Sequence, residues 1–344
     1  MSVGFCAVQW NRRKLIYDAI LIACVVLFIG TFNAIAYQWH PPQNISDKFD
    51  IHIRSFGTCA FLMLTIVLSI GPLARLDRRF LPLLYNRRHF GVLTFIVAAM
   101  HVYFMVRWYG DGLPNFFKDL LKWQDYAAFI GFPFKPLGIV PLFILFVLAA
   151  TSHDFWLGFL SPRVWKALHM ALYVAYAFVL MHVGLGIMQY EYTLLVPVMV
   201  FGSFGLVTTL HLLAGWRERA GDHGHALTPD GWIRVGAPQD IPDKGARIVA
   251  APGGERIAVF RDGAQIGALS NLCAHQNGPL GEGSIIDGCV TCPWHGYQYR
   301  LADGCAPPPF TEKLATYRVR LREGLVEVHP DALAPGTPAA ITNS

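Results

Sequence analysis

The sequence predicts a membrane all-α six-helix bundle followed by a small all-β domain. Three observations carry that prediction. Hydrophobic residues make up 54% of the 344-residue chain and charged ones 15%, and the apolar residues fall in long blocks instead of at amphipathic spacing, as a chain solvated by hydrocarbon requires. From Trp232 onward the texture changes to short β-rich runs separated by turns. Two Cys/His boxes, Cys273-Ala274-His275 and Cys292-Pro293-Trp294-His295-Gly296, stand sixteen residues apart inside that second region.

Six blocks, roughly 15–38, 54–75, 90–109, 136–155, 165–188 and 193–215, are long enough to cross a bilayer. The first follows Arg12, Arg13 and Lys14 and is itself long enough to span, so it reads as a helix and not as a cleavable signal peptide. Lysine and arginine in the short loops orient the bundle. One set of flanks holds Arg12, Arg13 and Lys14, then Arg75, Arg78, Arg79, Arg87 and Arg88, then Arg163 and Lys166, then Arg217 and Arg219. The opposite set holds Lys48 and the group Lys118, Lys122 and Lys135, diluted by Asp111, Asp119 and Asp125. Both termini are therefore expected in the cytoplasm. The outer loop at Leu113–Phe134, with Phe116, Phe117, Leu120, Leu121 and Trp123, reads as a short interfacial helix.

Residues 216–230, with Asp222, His223 and His225, read as a polar linker, 231–330 as the β domain, and 331–344 as a flexible tail. Strand texture is clearest in Arg247–Ala250, Arg256–Phe260, Thr316–Leu321 and Leu325–Val328. Seven cysteines are scattered without a disulfide framework, and Cys289 reads as a strand neighbour of Cys292. The formal charge of +5 is accounted for by loop arginines, and no basic, aromatic-interleaved groove points to a nucleic acid.

Two thiolates and two imidazoles in the order of the boxes suit a Rieske [2Fe–2S] cluster, in which cysteines hold one iron and histidines the other. A closed Cys2His2 zinc site is the alternative, although a zinc finger usually puts both cysteines in one half, and here each half mixes them. Residues Gly231–Pro330 resemble the Rieske domain family in its ferredoxin and oxygenase-ferredoxin branch: both boxes, Gly278-Pro279-Leu280 and Pro307-Pro308-Pro309 match. The resemblance implies a small all-β Rieske domain with one [2Fe-2S] cluster ligated by Cys273, His275, Cys292 and His295. It also implies box loops at the tip of a β-sandwich and a proline loop that shields the cluster. The respiratory branch of the family adds a disulfide cysteine to each box. Here those places are Gly278 and Trp294, as suits a reducing cytosol. That branch also has a serine, hydrogen-bonded to a cluster sulfur, where this chain has Tyr297, while Tyr299 matches the family's tyrosine donor. Fewer hydrogen bonds to the cluster place the expected midpoint in the lower half of the roughly −150 to +300 mV Rieske span.

Ionisable residues inside a membrane are costly and point to function. The third block carries His89 and His101, the fifth His169 and His182. Twelve and thirteen residues separate each pair by about 18–20 Å along the axis. His89 therefore levels with His169, and His101 with His182, as bis-histidine haem ligation needs. Hydrogen-bonded helix-packing histidines are the alternative. Residues 15–215 resemble the ferric-reductase-like transmembrane family, which includes NADPH oxidases, iron reductases and the haem subunit of the bacterial methionine sulfoxide repair system. The matching text is Ser69–Arg75, Arg87–Gly91 leading to His101, Ala150–His153, and Trp165–His169 leading to His182. The resemblance implies haem b, one or two. His101, His169 and His182 carry over as ligands. His89 carries over less directly, because twelve residues turn it about 120° from His101 on a straight helix. Arg54, Arg107, Arg75 and Arg88 stand where haem propionates would be paired. His153 and His211 read as packing or interfacial side chains.

The function expected is a transmembrane electron-transfer oxidoreductase in a bacterial-type inner membrane. A cytosolic donor, a ferredoxin or reductase, reduces the cluster, and the electron leaves through haem to a small molecule, quinone or protein. Family relatives use a cytosolic flavin/nicotinamide domain there, but this sequence shows no GxGxxG fingerprint. A Rieske oxygenase would need a further mononuclear-iron domain, which these residues do not show. Two alternatives stand beside this reading: quinol feeding the Rieske domain for a soluble oxygenase, and a membrane-anchored Rieske ferredoxin without haem.

Overall fold

The computed structural model describes residues 12–110, 112–120, 134–152, 160, 162–190, 193–222, 227–274, 278–293, 296–308 and 310–342. His275 and His295, two of the four predicted cluster ligands, lie outside them, as do His153, Trp294, Pro309, Trp123 and His223–His225. The chain divides into two units, Trp10–Pro72 with Asn86–His211, and Leu73–Tyr85 with Leu212–Ser344.

The helices are α1 (Arg12–Trp39), α2 (Ile45–Leu76), α3 (Leu81–Tyr85), α4 (Arg87–Trp108), α5 (Leu113–Leu120), α6 (Lys135–Ala150), α7 (Pro162–Leu185), α8 (Ile187–Tyr190) and α9 (Leu195–Asp222). Among the described residues five helices are long and apolar enough to cross a membrane: α1, α2, α4, α7 and α9. The sixth expected span is the shorter α6, whose 16 residues reach about 24 Å against a hydrocarbon core of roughly 30 Å. Helix α2 starts nine residues before its expected apolar block because a capping box starts it. Asp47 N–H donates to Asn44 Oδ1 at 2.9 Å and Asn44 N–H to Asp47 Oδ2 at 3.3 Å. Helix α9 likewise runs past the expected end at 215, through the first part of the segment read as a linker.

The bundle's core gathers Phe61, Leu64 and Leu68, one face of α2 at helical spacing, with Leu145 of α6, Tyr176 of α7 and Val207 of α9. Hydroxyls inside this unit satisfy themselves on their own helix. Thr65 donates to Phe61 O at 3.0 Å and Ser69 to Thr65 O at 2.8 Å, a low-cost arrangement where no water is present. Large apolar side chains face outward instead, among them Leu27 of α1, 70% exposed, and Val198 of α9, 65% exposed, as a lipid-facing surface requires.

The β strands are β1 (Ile233–Gly236), β2 (Gly245–Ala250), β3 (Arg256–Asp262), β4 (Gln265–Ser270), β5 (Ser284–Ile286), β6 (Cys289–Thr291), β7 (Gln298–Arg300), β8 (Thr316–Arg322), β9 (Leu325–Ala332) and β10 (Ile341–Thr342). A seven-stranded antiparallel sheet runs β1-β9-β8-β4-β3-β2, with β10 on β4, and a three-stranded one runs β5-β6-β7. Both faces of β3 are buried. Ile257 and Val259 enter one core with Ile233, Ile266, Tyr317 and Val326, while Ala258 and Phe260 enter a second core with Val290, Tyr299, Cys273 and Cys292. The two-residue period of a strand thus uses one run of sequence to close the large sheet and to seat the small one. The segment read as a flexible tail adds β10, where Ile341 pairs with Ile266 of β4 and covers its apolar edge.

Candidate redox sites

The described ends of the two boxes are closed alike. The Cys273 N–H donates to Gly278 O at 2.9 Å, and the Cys292 N–H donates to Tyr297 O at 2.8 Å. Each loop therefore closes five residues after its cysteine, and each cysteine is 1% exposed. Gly283, on the way from the first loop to β5, brings the loops together: a Cβ on it would lie 2.1 Å from the carbonyl oxygen of Thr291, the residue before Cys292. Asn271 braces the same turn by accepting from Gly281 N–H at 2.7 Å.

Tyr299 shares one buried core with the two cysteines. Its ring is fully buried in their core, and its Oη lies 3.3 Å from Cys273 Sγ. Burial, then the negative charge of Cys273, pushes its phenol far above the ordinary range. It therefore stays a donor to a sulfur that bears negative charge. Tyr297 turns elsewhere. Its hydroxyl donates to Glu312, and its ring meets Phe310 edge-on at 5.0 Å. Burial, then Glu312, holds that phenol protonated. The residue standing in the serine position is thus tied to the chain beyond the proline segment. Cys289 is half-buried on β6 with its thiol raised by burial.

In the helical unit, His101 of α4 and His182 of α7 lie beside each other, with ring centres 6.3 Å apart and planes crossed at 85°. His101 Nδ1 lies 2.8 Å from Ile53 O, and His182 Nδ1 lies 2.9 Å from Phe134 O. A carbonyl only accepts, so each Nδ1 carries its proton and each Nε2 keeps a lone pair. Imidazole–metal bonds of about 2 Å, with roughly 1 Å from each ring centre to its Nε2, account for a spacing of about 6 Å. The donor set and its spacing therefore fit a haem iron.

The inner pair is built differently. His89 Nδ1 meets the Asp18 carboxylate of α1 at 2.8 Å. His169 bonds through Nδ1 to its own helix at Trp165 O, 3.0 Å away, and its ring stacks on Trp165 at 3.7 Å. His211 spends both ring nitrogens on Val207 O and the Tyr173 hydroxyl, as a packing residue does. Of the arginines, Arg54 faces Asp50 at 2.8 Å, and Arg75 lies 3.3 Å from Glu218 and 3.1 Å from Glu282, so these guanidiniums already face carboxylates. Asp18, Glu312, Gly57 and Gly138 escaped the sequence reading. Their roles are contacts between distant segments, and no local pattern marks them.

Fold and sites define an integral-membrane redox protein with an iron–sulfur domain. Residues 231–318 match the Rieske [2Fe-2S] domain family and residues 54–180 the ferric reductase like transmembrane component. The chain belongs to the Rieske [2Fe-2S] family through its C-terminal domain and carries a ferric-reductase-like membrane component before it. It is 39% identical over 102 residues to the anthranilate 1,2-dioxygenase ferredoxin subunit of Burkholderia cepacia, covering 28% of this chain and 91% of that one. It is 33% identical over 98 residues to ferredoxin CarAc of Metapseudomonas resinovorans, with 28% and 92% covered. A cholesterol 7-desaturase of Ciona intestinalis is 32% identical over 103 residues, of which this chain spans 22% of the length. A chain in the solved complex of reduced oxygenase and oxidized ferredoxin in carbazole 1,9a-dioxygenase is 30% identical, covering 30% of this chain and 97% of that one at a TM-score of 0.29.

Proposed function

We propose that the protein is a transmembrane electron-transfer oxidoreductase that links a cytosolic Rieske [2Fe-2S] cluster to membrane haem b and delivers electrons outward to a periplasmic or membrane acceptor. The observation that carries this reading is the His101–His182 pair: crossed rings 6.3 Å apart, each donating its Nδ1–H to a carbonyl from a distant segment of the chain, in a chain with a Rieske domain. When bound, the two groups supply one-electron chemistry; the protein supplies ligands, exclusion of water and orientation. Cys273, His275, Cys292 and His295 hold the cluster, and Tyr299 donates to Cys273. His101 and His182 hold one haem; His89 and His169 hold a second, with Asp18 orienting the His89 ring as carboxylates do for metal-bound imidazoles.

The membrane unit extends through residue 215 and crosses six times, with α6 as the shortest crossing. An even number of crossings is what places both termini on one side, and the arginine-rich flanks put that side in the cytoplasm of a bacterial-type inner membrane. An optical and EPR spectrum of the purified protein tests the reading. Dithionite reduction is expected to give b-type bands together with a Rieske signal. A protein with the Rieske signal and no b-type bands is instead an anchored ferredoxin, and the membrane half of the proposal fails.

A second reading has its own support. The relatives covered over 91% and 92% of their length are both ferredoxins, one of them a subunit of a dioxygenase. Quinol would then reduce the haem and the Rieske domain would serve a soluble oxygenase. Rapid mixing with each donor in turn, following which centre is reduced first, separates the two directions.

A further inference from the structure

The outer histidine pair sits in two half-sites of identical construction. On one side the His101 N–H reaches Ile53 O and the ring lies against Gly57. On the other the His182 N–H reaches Phe134 O and the ring lies against Gly138. Carbonyl, glycine and histidine keep the same spacing in both, four residues from carbonyl to glycine and 48 from carbonyl to histidine.

The reason for a glycine follows from helix geometry. A helical side chain leans toward the N-terminus and covers the carbonyl one turn before it. With no side chain at 57 or 138, the carbonyls of Ile53 and Phe134 are open to a second donor from the neighbouring helix. A Cβ at Gly57 would stand 2.9 Å from His101 Nδ1, and one at Gly138 would stand 2.8 Å from His182 Cε1 and 2.9 Å from its Nδ1. Neither atom is the far end of a flexible chain, so each ring would have to move. His169 and His211 show the contrast, since each bonds the carbonyl four residues back on its own helix, a contact that fixes no second helix.

We infer that Gly57 and Gly138 are positioning residues that uncover the Ile53 and Phe134 carbonyls and thereby lock the two imidazole planes nearly perpendicular across the haem. The inference rests on the haem reading above. Crossed imidazoles leave two iron d orbitals of the low-spin ferric state nearly degenerate, which gives a single, strongly anisotropic EPR line at large g. Parallel planes give a rhombic three-line spectrum instead. A hydrogen bond from Nδ1 to a carbonyl also favours the ferric state of an iron held at Nε2.

The test is low-temperature EPR and redox titration of the full-length protein, with Gly57→Ala, Gly138→Ala and, as control, Gly205→Ala, where a Cβ meets nothing within 4 Å. The wild type and the control are expected to show the large-g line. Either alanine at the cradle should move that line to lower g or convert the iron to high spin, and should raise the midpoint of the haem that remains bound. A wild type with b-type bands whose low-spin signals are all rhombic, with no large-g line, overturns the inference while leaving haem binding intact, and it does so even if the variants fail to fold. Unchanged spectra in both alanine variants overturn it equally. A wild type without b-type bands removes the haem reading and this inference together.

Discussion

Hydrogen-bond partners, more than histidine content, sort the titratable groups of this protein into roles. Tyr299 is the sharpest case in the β domain, since its hydroxyl lies 3.3 Å from Cys273 Sγ and Tyr297, its neighbour in the second box, is committed to Glu312. Hydrogen bonds to cluster sulfur stabilise the reduced form. Tyr299→Phe removes one worth about 1 kcal/mol, which for one electron corresponds to roughly 40 mV. The midpoint is expected to fall by that amount from a wild-type value below about +75 mV, the lower half of the Rieske span; a redox titration showing no shift would remove Tyr299 from the cluster's surroundings. Asp230 gives a pH prediction at the same scale. Hydrogen bonds from Thr228 and Arg320 lower its carboxyl from 3.8 to about 2. A depressed carboxylate stabilises the folded state fully above its unfolded value and loses that contribution as pH falls through its folded one. The loss is therefore expected between about pH 4 and 2. Urea midpoints measured across that window should fall more for wild type than for Asp230→Asn, with cluster loss common to both.

Between elements, the decisive contacts are close approaches of backbone to backbone. Gly283 lets the exit of the first box lie on Thr291, where any Cβ would be 2.1 Å from a carbonyl oxygen. Gly283→Ala should push the two cysteine loops apart. The expected result is loss of the Rieske EPR signal with b-type bands retained, and an intact Rieske signal would show the loops to be independent of that contact. The same scale explains what the sequence disclosed. Hydropathy outlined the spans because each must satisfy its backbone internally and present apolar side chains to lipid, and strand texture in Arg256–Phe260 showed β3 because both its faces are buried. The cysteines were legible from their spacing alone. Gly57, Gly138, Asp18 and Glu312 were not, since each acts on a residue dozens of positions away or on another element. Hydropathy puts the start of α2 late because it registers only the apolar part of a helix, whereas Asn44 and Asp47 begin it in polar sequence. The β10 strand was missed because two residues leave no periodicity to read.

At the scale of the whole molecule, the order of reduction decides what the protein is for. If the cluster is the entry port, a reduced ferredoxin or a reductase presented to the full-length protein should reduce the Rieske signal first and the b-type bands afterwards. Association with such a donor is steered by charge, so the first phase should slow as salt rises while the second does not. Replacing Cys292 by serine removes one of the four proposed cluster ligands. In that variant the same donor is expected to leave the haem oxidised, although dithionite still reduces it. A quinol analogue acts from the other end: in the entry-port reading it reduces haem poorly in wild type and variant alike. Fast haem reduction by quinol, followed by reduction of the cluster, would reverse the assignment and make the Rieske domain the exit toward a soluble oxygenase. Haem reduction by ferredoxin in the Cys292→Ser protein would mean that the cluster is not on the route at all. The two halves of the chain would then be separate redox proteins sharing one polypeptide, and the electron-transfer link proposed here would fall.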